Sequence, residues 1–526
     1  MSAPPLPADP VWGRESGQLR AIVRNVGSRY AVLGVDASIG LLLLPFNIHH
    51  LGQTAWGLWM LTASLNSYFT VMELGYGGAV TKFVAQYRAL RDARSINEIV
   101  STLAVVFAGA AVIGYAVFVV VAFNVSRIFN LTPDQVGTAR ALLLFSGAQV
   151  ALGFPFGVFG GVVNGFQRYD LNNAISIATS VAVAVVNVGM LVAGFGLVEL
   201  VGATTAVRIA SNSLYRINAY RVFPSLSVRP SQFRVARLRE ASGFSAYIAI
   251  INWSNRLNYA TDALVIGAFL SPAAVAVWAV PRRLVAFVQS ATGQLTGVLL
   301  PVVVDTDARR RAQDLQKIFV HGTRLCLVAV APLAAALFMT ADAVIPAWVG
   351  PGFEGSVPIA RILVLVIALR VGNATATVLL KGAGEHRVLA FNNAAVALAN
   401  LALSILWIRG FGLVGVAFGT LLPLAAGSIL NLWPRTCQRV GLRPSDAFRR
   451  TVWPAVWPLA WMVAVVAALR AIMPPGPLPA LVSAAAGVIC YAVITLAFAM
   501  SRHERAAYLA KAMLIVRRPQ RKPARA

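Results

Sequence analysis

Apolar runs of about twenty residues recur about fourteen times along this chain, and a run of that length is what an α-helix needs to cross a hydrocarbon core. No water is available there to satisfy a free N–H or C=O, so only helices and closed barrels can span. The chain is therefore expected to be an all-α integral membrane protein. A mean hydropathy of +0.71 with 12% charged residues places lipid, not water, around most of the 526 residues.

The spans are expected near 28–48, 55–79, 99–123, 141–163, 174–195, 197–215 and 243–269, then 273–299, 318–340, 358–380, 392–408, 412–433, 451–471 and 478–500. Their number is even, which puts both ends on one side. Basic residues select that side, since connections rich in arginine and lysine stay in the cytoplasm. Lys82, Arg88, Arg91 and Arg94 lie in one such connection, Arg216, Arg221, Arg229, Arg234, Arg237 and Arg239 in another, and Arg309, Arg310, Arg311 and Lys317 in a third. Opposite connections hold little beyond Arg127, Arg140, Arg409 and Arg470, so both termini are expected in the cytoplasm of a cell with an inner membrane. The first thirty residues are polar and arginine-bearing, without the apolar core of a cleaved signal peptide. A basic tail over 501–526 mixes apolar and cationic residues, as a segment resting on anionic membrane lipids does. The tryptophans Trp56, Trp59, Trp278, Trp348 and Trp433 fall near span ends, where interfacial anchoring is the ordinary role.

A net charge of +26 suggests a nucleic-acid ligand only when the basic residues gather on a soluble surface, and here they punctuate apolar runs. Cys326, Cys437 and Cys490 are far apart and offer neither a disulfide framework nor a thiolate metal site. No lysine is followed by serine or threonine, which excludes a Walker A phosphate cradle. Outward connections are short, with Asp134, Asp342 and Glu354 scattered among them, so neither a catalytic centre nor a resident cofactor or metal is expected.

An internal repeat organises the chain. Leu51-Gly-Gln-Thr-Ala-Trp-Gly-Leu-Trp59 answers Leu270-Ser-Pro-Ala-Ala-Val-Ala-Val-Trp278; Arg168 with Asn172-Asn173-Ala174 answers Arg387 with Asn392-Asn393-Ala394; and Gly194-Phe-Gly-Leu-Val198 answers Gly410-Phe-Gly-Leu-Val414. The nearly constant offset implies duplication. Each copy carries six spans, an even number, so the copies insert the same way up around an axis along the membrane normal. The expected layout is an N-terminal lobe over 1–220, a C-terminal lobe over 221–440, two extra helices over 441–500 and the basic tail, with the ligand between the two bundles near the midplane.

Charge inside the spans indicates what that ligand is. Arg208, Arg256, Arg282, Arg283 and Arg370 interrupt apolar helices near their middles, where each charge costs about 2.5–3.5 kcal/mol on insertion scales. They outnumber the nearby acids, so a cationic cavity that holds a diphosphate through bidentate guanidinium contacts is the functional expectation. The structural alternative is that each pairs with an acid on another helix, for instance Asp36 with Arg256. Arg282 and Arg283 follow Pro281, which frees a carbonyl and favours a kink, and on a helix they point about 100° apart. Asn252, Asn255 and Asn258 recur every three residues, as a polar cavity face or a helix-to-helix bonding stripe would. Asp36, Glu73 and Asp262 are the candidates for proton or sodium coupling, with a packing ion pair the competing role.

Met72-Glu-Leu-Gly-Tyr-Gly77, Thr81-Lys-Phe-Val-Ala-Gln-Tyr-Arg88 and Asn258-Tyr-Ala-Thr-Asp-Ala-Leu-Val-Ile-Gly267, together with the motif at Leu51, resemble the Wzx-type polysaccharide flippases of the MOP superfamily over residues 25–440. That resemblance implies two six-helix lobes plus two extra helices and alternating-access transport of undecaprenyl-diphosphate-linked oligosaccharides to the periplasmic leaflet. It also implies polysaccharide polymerase or export proteins as partners. Glu73 stands where the family commonly has aspartate. A peptidoglycan-precursor flippase, a multidrug antiporter of the same superfamily and a membrane glycosyltransferase or polymerase are the competing functions.

Overall fold

The structure is a computed structural model that describes residues 18–69, 76–297, 299–309 and 312–499. Every regular element among these residues is helical, as the apolar runs require. Nine helical stretches among them are long and apolar enough to cross a membrane.

The chain divides into two compact units. The first runs to Arg283 and takes back residues 393–420; the second holds 284–392 and the residues from 421 onward. In the first unit lie α1 (Gln18–Phe69), α2 (Tyr76–Ala89), α3 (Ala93–Phe123), the single turn α4 (Val125–Ile128), α5 (Pro133–Gly153), α6 (Gly157–Gly165), α7 (Tyr169–Val192), α8 (Leu197–Val222) and α9 (Val235–Phe269). It also holds the start of α10 (Pro272–Gly297). The stretch α1 is two helices joined at Gly52, whose φ of 79° lies in the left-handed region where a Cβ is strained. Apolar side chains of α2, α3, α6 and the α5–α6 turn close a core around Val80, Val84, Leu103, Phe107, Phe154 and Val162, all buried. Trp56 and Trp278 are buried as well, which corrects the expectation of interfacial anchoring for these two rings. Their place is explained by packing: a Cβ on neighbouring Gly57 would overlap the Pro272 carbonyl, so the two chain segments touch here.

The first unit is tied at both ends of its helices. At the end where α9 meets α10, Asn130 donates through its backbone N–H to the Gly267 carbonyl at 3.1 Å and through Nδ2 to the Leu270 carbonyl at 2.6 Å. At the end rich in basic residues, the α8–α9 connection lies on α3. Asn97 Nδ2 donates to the Ser225 carbonyl and its Oδ1 accepts from the Ser227 N–H, both at 3.0 Å. Ser101 and Thr102 then accept the backbone N–H groups of Arg229 and Arg234. A polar cluster secures the first turns of α9: Arg237 pairs with Glu98 and Glu240 at 3.2 Å each, and Tyr87 donates to Glu240 at 2.8 Å. Burial, followed by the bond to Glu240, pushes the Tyr87 phenol up to about 12. Asp92 caps α3 by accepting the Ser95 N–H at 2.9 Å, and the Ser95 hydroxyl and backbone together hold its carboxyl below the usual range.

The second unit contains the rest of α10, α11 (Leu299–Ala308), α12 (Ala312–Val349), α13 (Ser356–Gly382), both ends of α14 (His386–Gly427), α15 (Trp433–Arg439), α16 (Pro444–Thr451), α17 (Trp453–Ile472) and α18 (Pro477–Ile494). Within α14 the backbone breaks at Gly412, φ 56°, so it too is two helices joined by a glycine. Phe319, Leu379, Leu380 and Cys437 form one core of this unit, and Met462, Val466 and Tyr491 another between α17 and α18. Asp342 receives both nitrogens of the Arg470 guanidinium, at 3.0 and 2.7 Å, and Arg361 approaches it at 3.5 Å. That pair fixes α17 to α12.

The repeat seen in the sequence falls on helix junctions. Gly52 turns the chain within α1 and Leu270 ends α9; Gly194 and Gly196 separate α7 from α8, and Gly412 breaks α14.

Candidate functional site

Asp36 is the charged residue around which helices of the first unit converge. On α1 it sits one turn before Gly40, so both lie on one face. From α7, Ser180 donates its hydroxyl to Asp36 Oδ1 at 2.8 Å. From α10, Arg283 donates Nη2 to the Asp36 backbone carbonyl at 3.4 Å, and its guanidinium lies where a Cβ on Gly40 would be. Arg208 on α8 interacts electrostatically with the same carboxylate, as Arg283 does. One acid thus faces two guanidinium groups, and positive charge is left over.

Arg208 also lines an open cavity of about 320 Å³ between α5, α7 and α8. The face of α8 turned to this cavity carries Arg208, Ser211, Asn212 and Tyr215; that of α7 carries Ser176, Thr179 and Ser180; α5 adds Gln149. The spacings are three, four and seven, those of one helical face.

Arg282 and Arg283 part as neighbours on a helix must. Arg283 is exposed and lies against α1, whereas Arg282 is half-buried and interacts with Tyr68, which also interacts with Asp262. Tyr68 shares a hydrogen bond with Thr261. Asp262 itself is buried, and its Oδ2 accepts from Thr420 at 3.4 Å; Asn400 donates to the same threonine hydroxyl at 2.9 Å. Asp262 therefore belongs to a polar network that joins α9 to α14. Arg370 lies half-buried in the middle of α13, in the second unit. Asn252, Asn255, Arg256 and Asn258 are on α9, but their side chains lie outside the described residues, as does Glu73. The suggested Asp36–Arg256 pair falls there too; the described contacts of Asp36 are with Ser180, Arg208 and Arg283.

Sequence reasoning singled out Arg208 by its charge and missed the uncharged side chains around it. The signal was present in the helical spacing of Ser176, Thr179 and Ser180 and of Ser211, Asn212 and Tyr215.

A family described as "Polysaccharide biosynthesis protein" matches residues 88–358. The probable flippase AglR of Haloferax volcanii is 22% identical over 409 residues, covering 74% of this chain and 79% of that protein. Among solved structures, the lipid II flippase MurJ in an inward closed conformation superposes with a TM-score of 0.66 at 12% identity, covering 94% of this chain and all of that one. An inward-facing multidrug resistance MATE transporter of the MOP superfamily gives 0.57 at 14% identity, covering 77% and 98%. A MOP superfamily transporter from Pyrococcus furiosus, described as having a binding pocket of reversed polarity, gives 0.57 at 14% identity, covering 80% and 95%. With helices that cross the membrane many times and this fold, the chain is a multi-pass membrane protein of the polysaccharide biosynthesis protein family, built on the architecture of MOP superfamily transporters.

Proposed function

We propose that the protein is a flippase that carries undecaprenyl-diphosphate-linked oligosaccharide units from the cytoplasmic to the periplasmic leaflet for surface polysaccharide synthesis. The observation that carries this reading is the excess of guanidinium over carboxylate at Asp36: Arg208 on α8 and Arg283 on α10 face one acid on α1, a helix apolar enough to cross a membrane. At membrane depth such an excess of charge is costly unless an anion completes it. A diphosphate is the anion that suits planar, two-pronged donors. Family membership and the similarity to a probable flippase support the same cargo class.

Transport proceeds by alternating access of two lobes, 1–220 and 221–440, with residues 441–500 as accessory helices and 501–526 as a cytoplasmic tail on anionic lipids. The internal repeat supports this layout. Arg256, Arg282 and Arg370 extend the cationic path, Asn252, Asn255 and Asn258 its polar face. Asp36, bonded to Ser180, is the favoured site of proton or sodium coupling, with Glu73 as a second. Asp262 is given the packing role, since Thr420 already engages it. The protein performs no covalent chemistry; Asp342, one of the outward carboxylates a polymerase would need, is occupied by Arg470. Polymerase and export proteins act on what it delivers.

Cells of a polysaccharide-producing strain that lack the protein should accumulate lipid-linked oligosaccharide shielded from a glycosidase added to spheroplasts. Accumulation of glycosidase-sensitive single units would instead assign a polymerase, and depletion of peptidoglycan in place of surface polysaccharide a cell-wall precursor flippase.

A further inference from the structure

The cavity of about 320 Å³ between α5, α7 and α8 holds one cation, Arg208, and a set of uncharged hydrogen-bonding side chains. Among the described residues, the side chains of Gln149, Ser176, Thr179, Asn212 and Tyr215 make no hydrogen bond to another residue. Serine and threonine in a membrane helix usually bond back to the carbonyl a turn earlier, as Thr204 does to Leu200 on this same α8 at 2.8 Å. Ser176 and Thr179 do not, and their polar atoms are left for a ligand. A wall that alternates donors and acceptors beside a guanidinium matches a polyol joined to a phosphate. Its volume is near the lower end of ligand pockets, about 300–1,000 Å³, which suits one sugar ring better than a long chain.

We infer that this cavity is a saccharide subsite that reads the sugar attached directly to the diphosphate, with Ser176, Thr179, Asn212 and Tyr215 bonding its hydroxyls while Arg208 holds the adjoining phosphate. The inference rests on the flippase reading and deepens it by locating sugar recognition in the first unit. Because the first sugar and the diphosphate share one bond, a single cavity that offers both chemistries selects that end of the cargo. A polar site built to bond hydroxyls discriminates strongly, because an analogue lacking them leaves its groups unpaired.

The test uses the full-length protein in nanodiscs and a panel of probes: farnesyl diphosphate, the same lipid bearing a hexose, an N-acetylhexosamine, a 6-deoxyhexose or a uronate, and short-chain phosphatidylglycerol, a polyol phosphate from the bilayer itself. At least one glycosylated probe should bind about tenfold more tightly than farnesyl diphosphate. In a Thr179→Val, Asn212→Leu variant that margin should fall to within about twofold, while farnesyl diphosphate itself binds as before and so reports an intact fold. Ser176→Leu, which fills the cavity from α7, should give the same result, and Arg208→Gln should weaken every diphosphate probe alike. Survival of the margin in the filled and stripped variants, or no glycosylated probe exceeding farnesyl diphosphate, overturns the subsite. Phosphatidylglycerol matching the best probe, and losing affinity with it, makes the cavity a phospholipid site and also overturns it. Failure of farnesyl diphosphate to bind the unaltered protein removes the flippase reading itself.

Discussion

Arg283 reaches the backbone carbonyl of Asp36 at 3.4 Å, while the hydrogen bond to that residue's carboxylate comes from Ser180. The guanidinium is therefore placed by α1 without being neutralised through a direct ion pair, and its remaining N–H groups stay available to an anion.

Space for Arg283 depends on Gly40, because a side chain there would occupy the guanidinium's position. Gly40→Val should impair transport about as severely as Arg283→Gln, on the order of tenfold for loss of a charged contact worth about 1.5 kcal/mol. Both variants should reach the membrane in normal amounts, since the site is exposed rather than part of the packed core. Initial rates of lipid-linked oligosaccharide translocation, set against immunoblot levels, check this.

Asp36 is the proposed coupling group. Asp36→Asn should retain binding of a lipid diphosphate and lose stimulation by an imposed proton or sodium gradient, and Ser180→Ala should reduce that stimulation in the same direction. Vesicle assays with each gradient imposed separately decide it; full stimulation in Asp36→Asn removes the coupling role.

The cluster at the start of α9 makes stability depend on pH at two limits. Asp92 has a lowered pKa, so its contribution is complete above the ordinary carboxylate value of about 3.9 and fades as pH falls below it. The Tyr87 phenol is raised to about 12, so its contribution holds up to the ordinary value and is lost as pH rises from there through about 12. Thermal unfolding in detergent should be insensitive to these groups between about pH 5 and 9. Asp92→Asn should remove part of the acid limb, and Tyr87→Phe part of the alkaline one.

Because four polar groups hold the α8–α9 connection on α3, that connection should travel with α3 throughout the transport cycle. A disulfide between cysteines placed at Asn97 and Ser227 should leave transport within about twofold of the reduced protein, as expected when a link joins parts that already move together. Inhibition that is reversed by reductant would show that the connection must release.

Much of this architecture was legible because hydrocarbon leaves a chain few options. Long apolar runs announced helices, and the repeated Gly-Phe-Gly-Leu-Val marked junctions that the structure places at Gly196 and Gly412. Arg208 and Arg283 were legible for a related reason: charge in an apolar run needs a purpose. Which way each pointed was not, since adjacent Arg282 and Arg283 diverge according to what α1 presents, a long-range contact through Gly40. The α7 and α8 polar faces escaped notice because serine and threonine can satisfy themselves within a helix, so their spacing alone carries little weight until a cavity is seen beside them. Trp56 and Trp278 misled for the opposite reason, lying near span ends in sequence yet enclosed by neighbouring helices.

The most direct test of a cationic path for a lipid diphosphate is the translocation rate in proteoliposomes of the protein with Arg208, Arg256, Arg282, Arg283 and Arg370 replaced singly and together by glutamine. A fluorescent undecaprenyl-diphosphate oligosaccharide serves as cargo. Single replacements should slow transfer about tenfold or less, and the combined variant, inserted in equal amount, should bring it to the rate of empty vesicles. Transfer by the combined variant at the rate of the unaltered protein would contradict the assignment of these arginines to the cargo.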